Sequence, residues 1–247
     1  MNVLFIGNAI IDVISHTDEI DQVDPDFIGK MQIVSQNEIN YKIKLLSNKK
    51  IVPGGSANNS ACGLSMLDEE VCFIGKIGND HYGQIYLEQN KEHHVETGLM
   101  IVDNKSTTGL SLVYVTPDGE RTMNTFPGSS GELDTSDIPK TAFSGISGIF
   151  IEGYLLYSRC GLELISKSIR NAKASNGFKA ISLSDVDCVD KYRDDYRIIL
   201  LSACRPINYE ASKSNHFQYE AFIHFINSKL YQKTVKGSGD KTDMRKK

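Results

Sequence analysis

Apolar residues in this chain fall into short runs with two different rhythms. Val3-Leu4-Phe5-Ile6 is an uninterrupted apolar run closed by Gly7, the pattern of a strand buried on both faces. Asn8 to Val13 prolongs that strand, with polar residues where it would leave the core. Residues 16–51 are more polar and irregular, with Asp18, Glu19, Asp21, Asp24 and Asp26, and read as an excursion from the main sheet. Ser56 to Leu67 is small and apolar, a helix able to pack closely. Glu70 to Ile77 reads as a strand, and Asp80 to Lys91 as a helix entered through the Gly78-Asn79-Asp80 turn. Leu110, Leu112 and Tyr114 then alternate, Thr116-Pro117-Asp118-Gly119 supplies turn chemistry, and Arg121, Met123 and Thr125 alternate back. That pattern predicts a β-hairpin within Thr107–Phe126. A strand over Ile146–Glu152, a helix from about Arg159 to Ala174 and a strand over Lys179–Ser184 follow.

Strands alternating with helices predict an α/β fold whose central sheet is mostly parallel and covered by helices on both sides. The hairpin interrupts that rhythm, so a small β lid is expected from parts of residues 16–51 and 99–125. Residues 1–195 read as one α/β region, and residues 196–247 as a divergent segment with a basic tail. From Lys229 onward seven Lys or Arg stand against two Asp, with Gly237 and Gly239 among them, as in a solvated tail.

A length of 247 residues suffices for one sizeable core with something appended. The net charge of −4, mixed in sign, gives no basic field for a nucleic-acid partner. Every apolar run is too short to span a bilayer, so no membrane partner is expected. No positive segment precedes the first run, which reads as a strand rather than a signal peptide. The five cysteines show no CxxC spacing, which fits a reduced, cytoplasmic protein without a disulfide framework or zinc site. His93 and His94 are adjacent and cannot converge on one ion in a regular element, so no metal ligands are assigned. A Walker A loop and a dinucleotide GxGxxG are both missing, and Ser129, Ser130 and Ser202 lack the partners of a nucleophilic triad.

The chemistry-bearing stretch runs from Ile51 to Gly83. Gly54-Gly55 lets a ligand approach the backbone, and an amide just inside the next helix can hydrogen-bond a polyol in two directions. The combination points to a small hydroxylated substrate held between a tight turn and a helix start.

Four ordered motifs then carry a resemblance. They are Gly7-Asn8-Ala9-Ile10-Ile11-Asp12, Gly54-Gly55-Ser56-Ala57-Asn58-Asn59, Gly75-Lys76-Ile77-Gly78 with Asp80 and Gly83, and Val115 to Met123. Glu152-Gly153-Tyr154 and Leu183-Ser184-Asp185 with Asp190 extend them. Together they resemble the PfkB, or ribokinase-like, carbohydrate kinase family, closest to its adenosine-kinase-like branch. The resemblance implies a three-layer ribokinase-like fold with a β lid. It also implies ATP and Mg2+ as cofactors, and transfer of the γ-phosphoryl group to a hydroxyl of a nucleoside or sugar. By this likeness Asp12 accepts hydrogen bonds from adjacent substrate hydroxyls, Gly54 and Gly55 line the pocket, and Asn59 reads the same hydroxyls. Asn8 is a further pocket candidate, and Arg121 on the lid would sit near the transferred phosphate. Self-association through the lid or an exposed sheet edge is also expected.

Plainer readings stand beside these. Asp12 could cap a turn, the glycine pair could only shape one, and Arg121 could be a solvated cross-strand partner. Asn58 reads as a helix cap, leaving Asn59 for the ligand. The match fades after about Asp195. Family members continue to a glycine-rich Asp-Thr-x-Gly-Ala-Gly-Asp motif that opens a long helix and supplies the base. Gly237-Ser238-Gly239-Asp240 is superficially similar, but seven residues follow it and no such helix can form. No Asn-x-x-Glu element is present. The catalytic residues are therefore unassigned, and the alternative expectation is a truncated, inactive remnant that only binds substrate.

Overall fold

The computed structural model describes residues 2–16, 28–117, 119–172 and 177–203. The acidic stretch from Asp18 to Asp26, Asp118 of the hairpin turn, the basic tail and Gly237–Asp240 lie outside the described residues.

Strand β1 (Val3–Ile6) is buried throughout because strands flank it on both sides. The chain then bends at Gly7-Asn8-Ala9 and starts β2 (Ile10–His16) in a different sheet. The single strand expected over this region is thus two, divided at the point where polar residues interrupt the apolar run.

The excursion expected over 16–51 is more ordered than its composition suggests. It contains β3 (Met31–Ile33), helix α1 (Gln36–Leu45) and the start of β4 (Lys50–Pro53). Ser35 caps α1 by accepting a hydrogen bond from the Glu38 backbone N–H at 3.2 Å. Glu38 pairs with Lys42 one turn on, at 2.8 Å, while Ile39 and Ile43 turn inward.

Helix α2 (Ser56–Ser65) leads to β5 (Val71–Ile74) and β6 (Lys76–Gly78), which replace the one strand expected over Glu70–Ile77. Helix α3 (His81–Glu92) begins at Asp80, whose carboxylate accepts from the Gly83 backbone N–H at 2.9 Å. After β7 (Ile101–Asp103), strands β8 (Gly109–Val115) and β9 (Arg121–Phe126) form the expected antiparallel hairpin. Strand β10 (Gly148–Glu152), helix α4 (Gly161–Ala172), β11 (Phe178–Ser182), α5 (Val186–Lys191) and α6 (Arg193–Ala203) complete the described chain. Helix α6 runs across residue 196, where the divergent segment was expected to begin.

The main sheet has the order β11-β10-β1-β5, and its neighbours are all parallel. One face packs Leu4, Ile6, Ile149 and Ile151 with Leu164, Ile165 and Ile169 of α4 and Tyr196 and Ile199 of α6. Helix α2 lies on β1, β5 and β10. Phe5 and Phe150 pack at a tilt across neighbouring strands with ring centroids 5.3 Å apart.

The lid is a second sheet in the order β3-β9-β8-β2-β4. It begins earlier than expected, since β2 supplies residues 10–16. Helix α1 packs on β8 and β9 from outside, with Leu110, Leu112 and Tyr114 buried in β8. The alternate positions of β2, β8 and β9 face a cleft.

Candidate active site

The cleft is built around the bend that carries the chain from main sheet to lid. Glu152 ends β10 beside that bend and is only 1% exposed. Its Oε1 accepts from the Asn8 backbone N–H at 3.0 Å and from Asn8 Nδ2 at 2.6 Å. Its Oε2 accepts from Ser56 Oγ and from the Ala57 backbone N–H, both at 2.8 Å. A buried carboxylate with four donors at the N-terminal end of a helix is well compensated, because the helix presents free N–H groups and positive partial charge there. One side chain thus ties the main sheet, the bend and α2 together.

Strand β2 then aims Asp12 into the cleft. Antiparallel pairing with β4 places Asp12 opposite Val52, and the Gly54 backbone N–H donates to the Ile10 carbonyl at 2.7 Å. Gly54 lies directly under the carboxylate: a Cβ there would be 2.2 Å from Asp12 Oδ1. Gly55 has φ +90, a conformation that favours glycine, and it occupies the N-cap of α2. Tyr86 closes the turn from behind, donating from its hydroxyl to the Gly54 carbonyl at 3.5 Å.

Burial pushes the Asp12 carboxyl up to about 6, with Arg121 acting against the rise and Glu152 adding to it. Among the described residues no donor satisfies this carboxylate, and its oxygens face the cleft. A desolvated acceptor without an internal partner is the arrangement of a ligand contact.

The cleft encloses about 560 Å³, within the usual range for small-molecule sites. Asn8, Asp12, Gly55, Asn59 and Arg121 line it, while Gly54 supports it from beneath Asp12. Asn59 is exposed on the first turn of α2. Asn58 is not the helix cap: Gly55 holds that position, and Asn58 is 0% exposed with no hydrogen-bond partner for its amide among the described residues.

Sequence reasoning missed three features. Glu152 entered only as a motif letter, because nothing local reveals that its partners lie near Asn8 and Ser56. Ser111 and Thr125 share a rung with Asp12 across β2, β8 and β9, and their hydroxyls are 3.0 Å apart. Register alone could have shown that, had the pairing partner of β2 been known. Tyr154 and Tyr157 form the far wall, with ring centroids 6.4 Å apart. The Tyr154 hydroxyl donates to Asp185 at 3.0 Å, and Asp185 also caps α5 through the Cys188 backbone N–H at 2.7 Å.

Comparison with known proteins decides the family. Residues 2–197 match the pfkB family of carbohydrate kinases. The chain belongs to that family. The adenosine kinase of Sinorhizobium meliloti superposes with a TM-score of 0.75 at 28% identity, covering 82% of this chain and 62% of that one. A probable sugar kinase from Rhizobium etli CFN 42 gives 0.70 at 27% identity, covering 79% and 59%. A 5-dehydro-2-deoxygluconokinase from Clostridium botulinum is 26% identical over 164 residues, 65% of this chain and 48% of that protein. This chain therefore spans about half the length of that curated relative.

The pfkB kinases use ATP and a divalent metal. Among the described residues no group of three or more His, Cys, Asp or Glu is placed to hold a metal ion. No helix among the described residues is long and apolar enough to cross a membrane.

Proposed function

We propose that the cleft binds the phosphoryl acceptor of a pfkB kinase, through vicinal hydroxyls of a nucleoside or sugar. The observation that carries this reading is the Asp12 carboxylate, half-buried over Gly54, without an internal donor among the described residues and open to the cleft. Two adjacent hydroxyls supply the two donors that it lacks. The exposed Asn59 amide offers both a donor and an acceptor to the same diol. The Gly54–Gly55 turn admits the ligand against the backbone. Arg121, on the lid across from Asp12, is suited to the charge of a transferred phosphoryl group.

A nucleoside is favoured over a free sugar by the cleft's second half. Tyr154 and Tyr157, with Phe126 and Met123, give aromatic and apolar walls that a base fills and a bare sugar leaves wet. The likeness to an adenosine kinase and the 27% likeness to a probable sugar kinase support the same short range of acceptors. ATP would supply the phosphoryl group when bound; this region's residues orient the acceptor hydroxyl and exclude water under the lid.

The test is calorimetric titration of the chain with adenosine, ribose and fructose at neutral pH, followed by incubation with labelled ATP and Mg2+. Saturable adenosine binding that is lost in Asp12→Asn supports the reading. Equal heats from wild type and Asp12→Asn would sink it. Binding without label transfer would identify an acceptor-binding chain that does not itself turn over.

A further inference from the structure

We propose that Glu152 is a positioning residue of this cleft, holding the Asn8 amide and the first turn of α2 in the geometry the acceptor meets. The inference rests on the acceptor-site reading above and adds to it a residue that need not bond the ligand. Four donors, two from the bend and two from the start of α2, converge on this one side chain. Glu152 itself ends a central strand of the main sheet, where it pairs with Ser182 of β11 just past the last rung that β10 shares with β1.

The two oxygens have separate tasks. Oε1 takes both Asn8 donors, the backbone N–H at 3.0 Å and the side-chain Nδ2 at 2.6 Å. The Asn8 amide is thereby oriented with its nitrogen toward Glu152, which leaves its carbonyl oxygen for the cleft. The Asn8 carbonyl of the main chain in turn sits 2.2 Å from where a Cβ of Gly55 would be, so the bend and the glycine turn are in direct contact. Oε2 takes Ser56 Oγ and the Ala57 backbone N–H, both at 2.8 Å. Those donors open α2, and Asn59 completes that first turn of the same helix. A rotation of that first turn would carry Gly55, Ser56 and Asn59 away from Asp12 together.

The negative charge matters as well as the hydrogen bonds. Four donors aimed at two oxygens require an acceptor-only group, and a carboxylate is the side chain that provides it. Glutamine of the same shape would turn an NH2 toward one pair of donors and leave them buried and unpaired.

The experiment compares wild type with Glu152→Gln, Glu152→Asp and Ser56→Ala in the full chain. It reads three quantities: adenosine affinity, protection of the Asn8 and Ala57 amides from hydrogen exchange, and titration of the Asp12 carboxyl by carbon NMR. Asp12→Asn assigns the carboxyl signal. Glu152→Gln should weaken adenosine about tenfold or more and expose both amides to exchange. It should also lower the Asp12 midpoint from about 6, because a neighbouring negative charge is gone. That shift reads the charge that Glu152 places beside Asp12, separately from the bonds to the bend and the turn that exchange reads. Ser56→Ala should loosen only the Ala57 side, weaken binding less and leave the midpoint in place. Glu152→Asp should keep the charge, and so the midpoint, while losing reach. Should Glu152→Gln fail to fold, Ser56→Ala and Glu152→Asp carry the test through exchange and affinity.

Unchanged exchange at Asn8 and Ala57 with an unchanged Asp12 midpoint would overturn the proposal. Exchange and titration are read without ligand. If the wild-type chain binds no nucleoside or sugar, the acceptor reading fails while these two readouts still decide whether Glu152 holds the bend and the turn.

Discussion

A Cβ on Gly54 would lie 2.2 Å from Asp12 Oδ1. Asp12 lies on β2 and Gly54 directly follows β4, its antiparallel partner strand, and the space that the glycine leaves is filled by the carboxylate. The glycine pair is therefore more than a bend in the chain. Its first member makes room for the charged group, and its second turns the chain into α2.

The first prediction follows directly. Gly54→Ala must displace the Asp12 carboxylate or the backbone beneath it, since 2.2 Å is far inside contact distance. Overpacking of this kind costs about 1–3 kcal/mol. Urea denaturation should show a loss in that range, and calorimetry should show adenosine binding weakened by about tenfold or more. Wild-type affinity in Gly54→Ala would mean that the Asp12 position does not matter for the ligand.

Arg121 and Glu152 act on Asp12 with opposite sign, which yields a paired prediction. Arg121 lowers the Asp12 carboxyl and Glu152 raises it. Arg121→Ala should thus move the Asp12 midpoint above about 6, whereas Glu152→Gln moves it below. Carbon NMR of the side-chain carboxyl reads both shifts. Shifts in the same direction for the two variants would show that burial changes, not charge, control this group.

Asp80 supports the lid rather than the cleft. Its Oδ1 accepts from the Gly83 backbone N–H at 2.9 Å and from Thr108 Oγ1 at 2.7 Å. Its Oδ2 accepts from the Thr108 backbone N–H at 2.8 Å, directly before β8 starts. Asp80→Ala removes a helix cap and two ties to the hairpin base, a loss of about 2 kcal/mol or more. Denaturant unfolding should register that loss while the Asp12 titration stays where it is. A shifted Asp12 midpoint in Asp80→Ala would instead couple the hairpin base to the cleft.

How far the sequence reveals all this depends on the range of the interaction. Strand β1, the β8–β9 hairpin and α3 are legible because their signals are local: an apolar run, a Pro-Asp-Gly turn and an aspartate before a helix. Helix α1 carries the same kind of signal, Ser35 three residues before Glu38 with Ile39 and Ile43 one turn apart, but the polar residues through the rest of the helix obscure it. The break between β1 and β2 is harder, because both are apolar and only tertiary packing separates their sheets. Asp12 and the glycine pair are found through motif likeness, yet nothing near Asp12 in sequence announces Gly54 beneath it. Glu152 is the extreme case, with partners 144 and 95 residues away. A carboxylate on an apolar strand looks like a strand end until the donors are seen.

Asp12 also links function to stability, with a sign opposite to that of a salt-bridged acid. Burial raises its carboxyl to about 6 from an ordinary value of 3.8. The folded protein therefore binds this proton more tightly than the unfolded chain does. Its contribution to stability is greatest below the unfolded value and declines as pH rises from about 3.8 through about 6. At pH 7.5 the ionised, unpartnered carboxylate weighs against folding by up to about 3 kcal/mol. Ligand binding runs the other way, because the acceptor hydroxyls need the ionised form and lose it as pH falls through about 6. Asp12→Asn should thus be more stable than wild type at pH 7.5, lose that advantage at pH 4, and bind adenosine poorly at both. Thermal unfolding of the two proteins at pH 4 and 7.5, with calorimetry alongside, measures all three. A variant less stable than wild type at pH 7.5 would show that the carboxylate has a partner inside the fold and is not held open for a ligand.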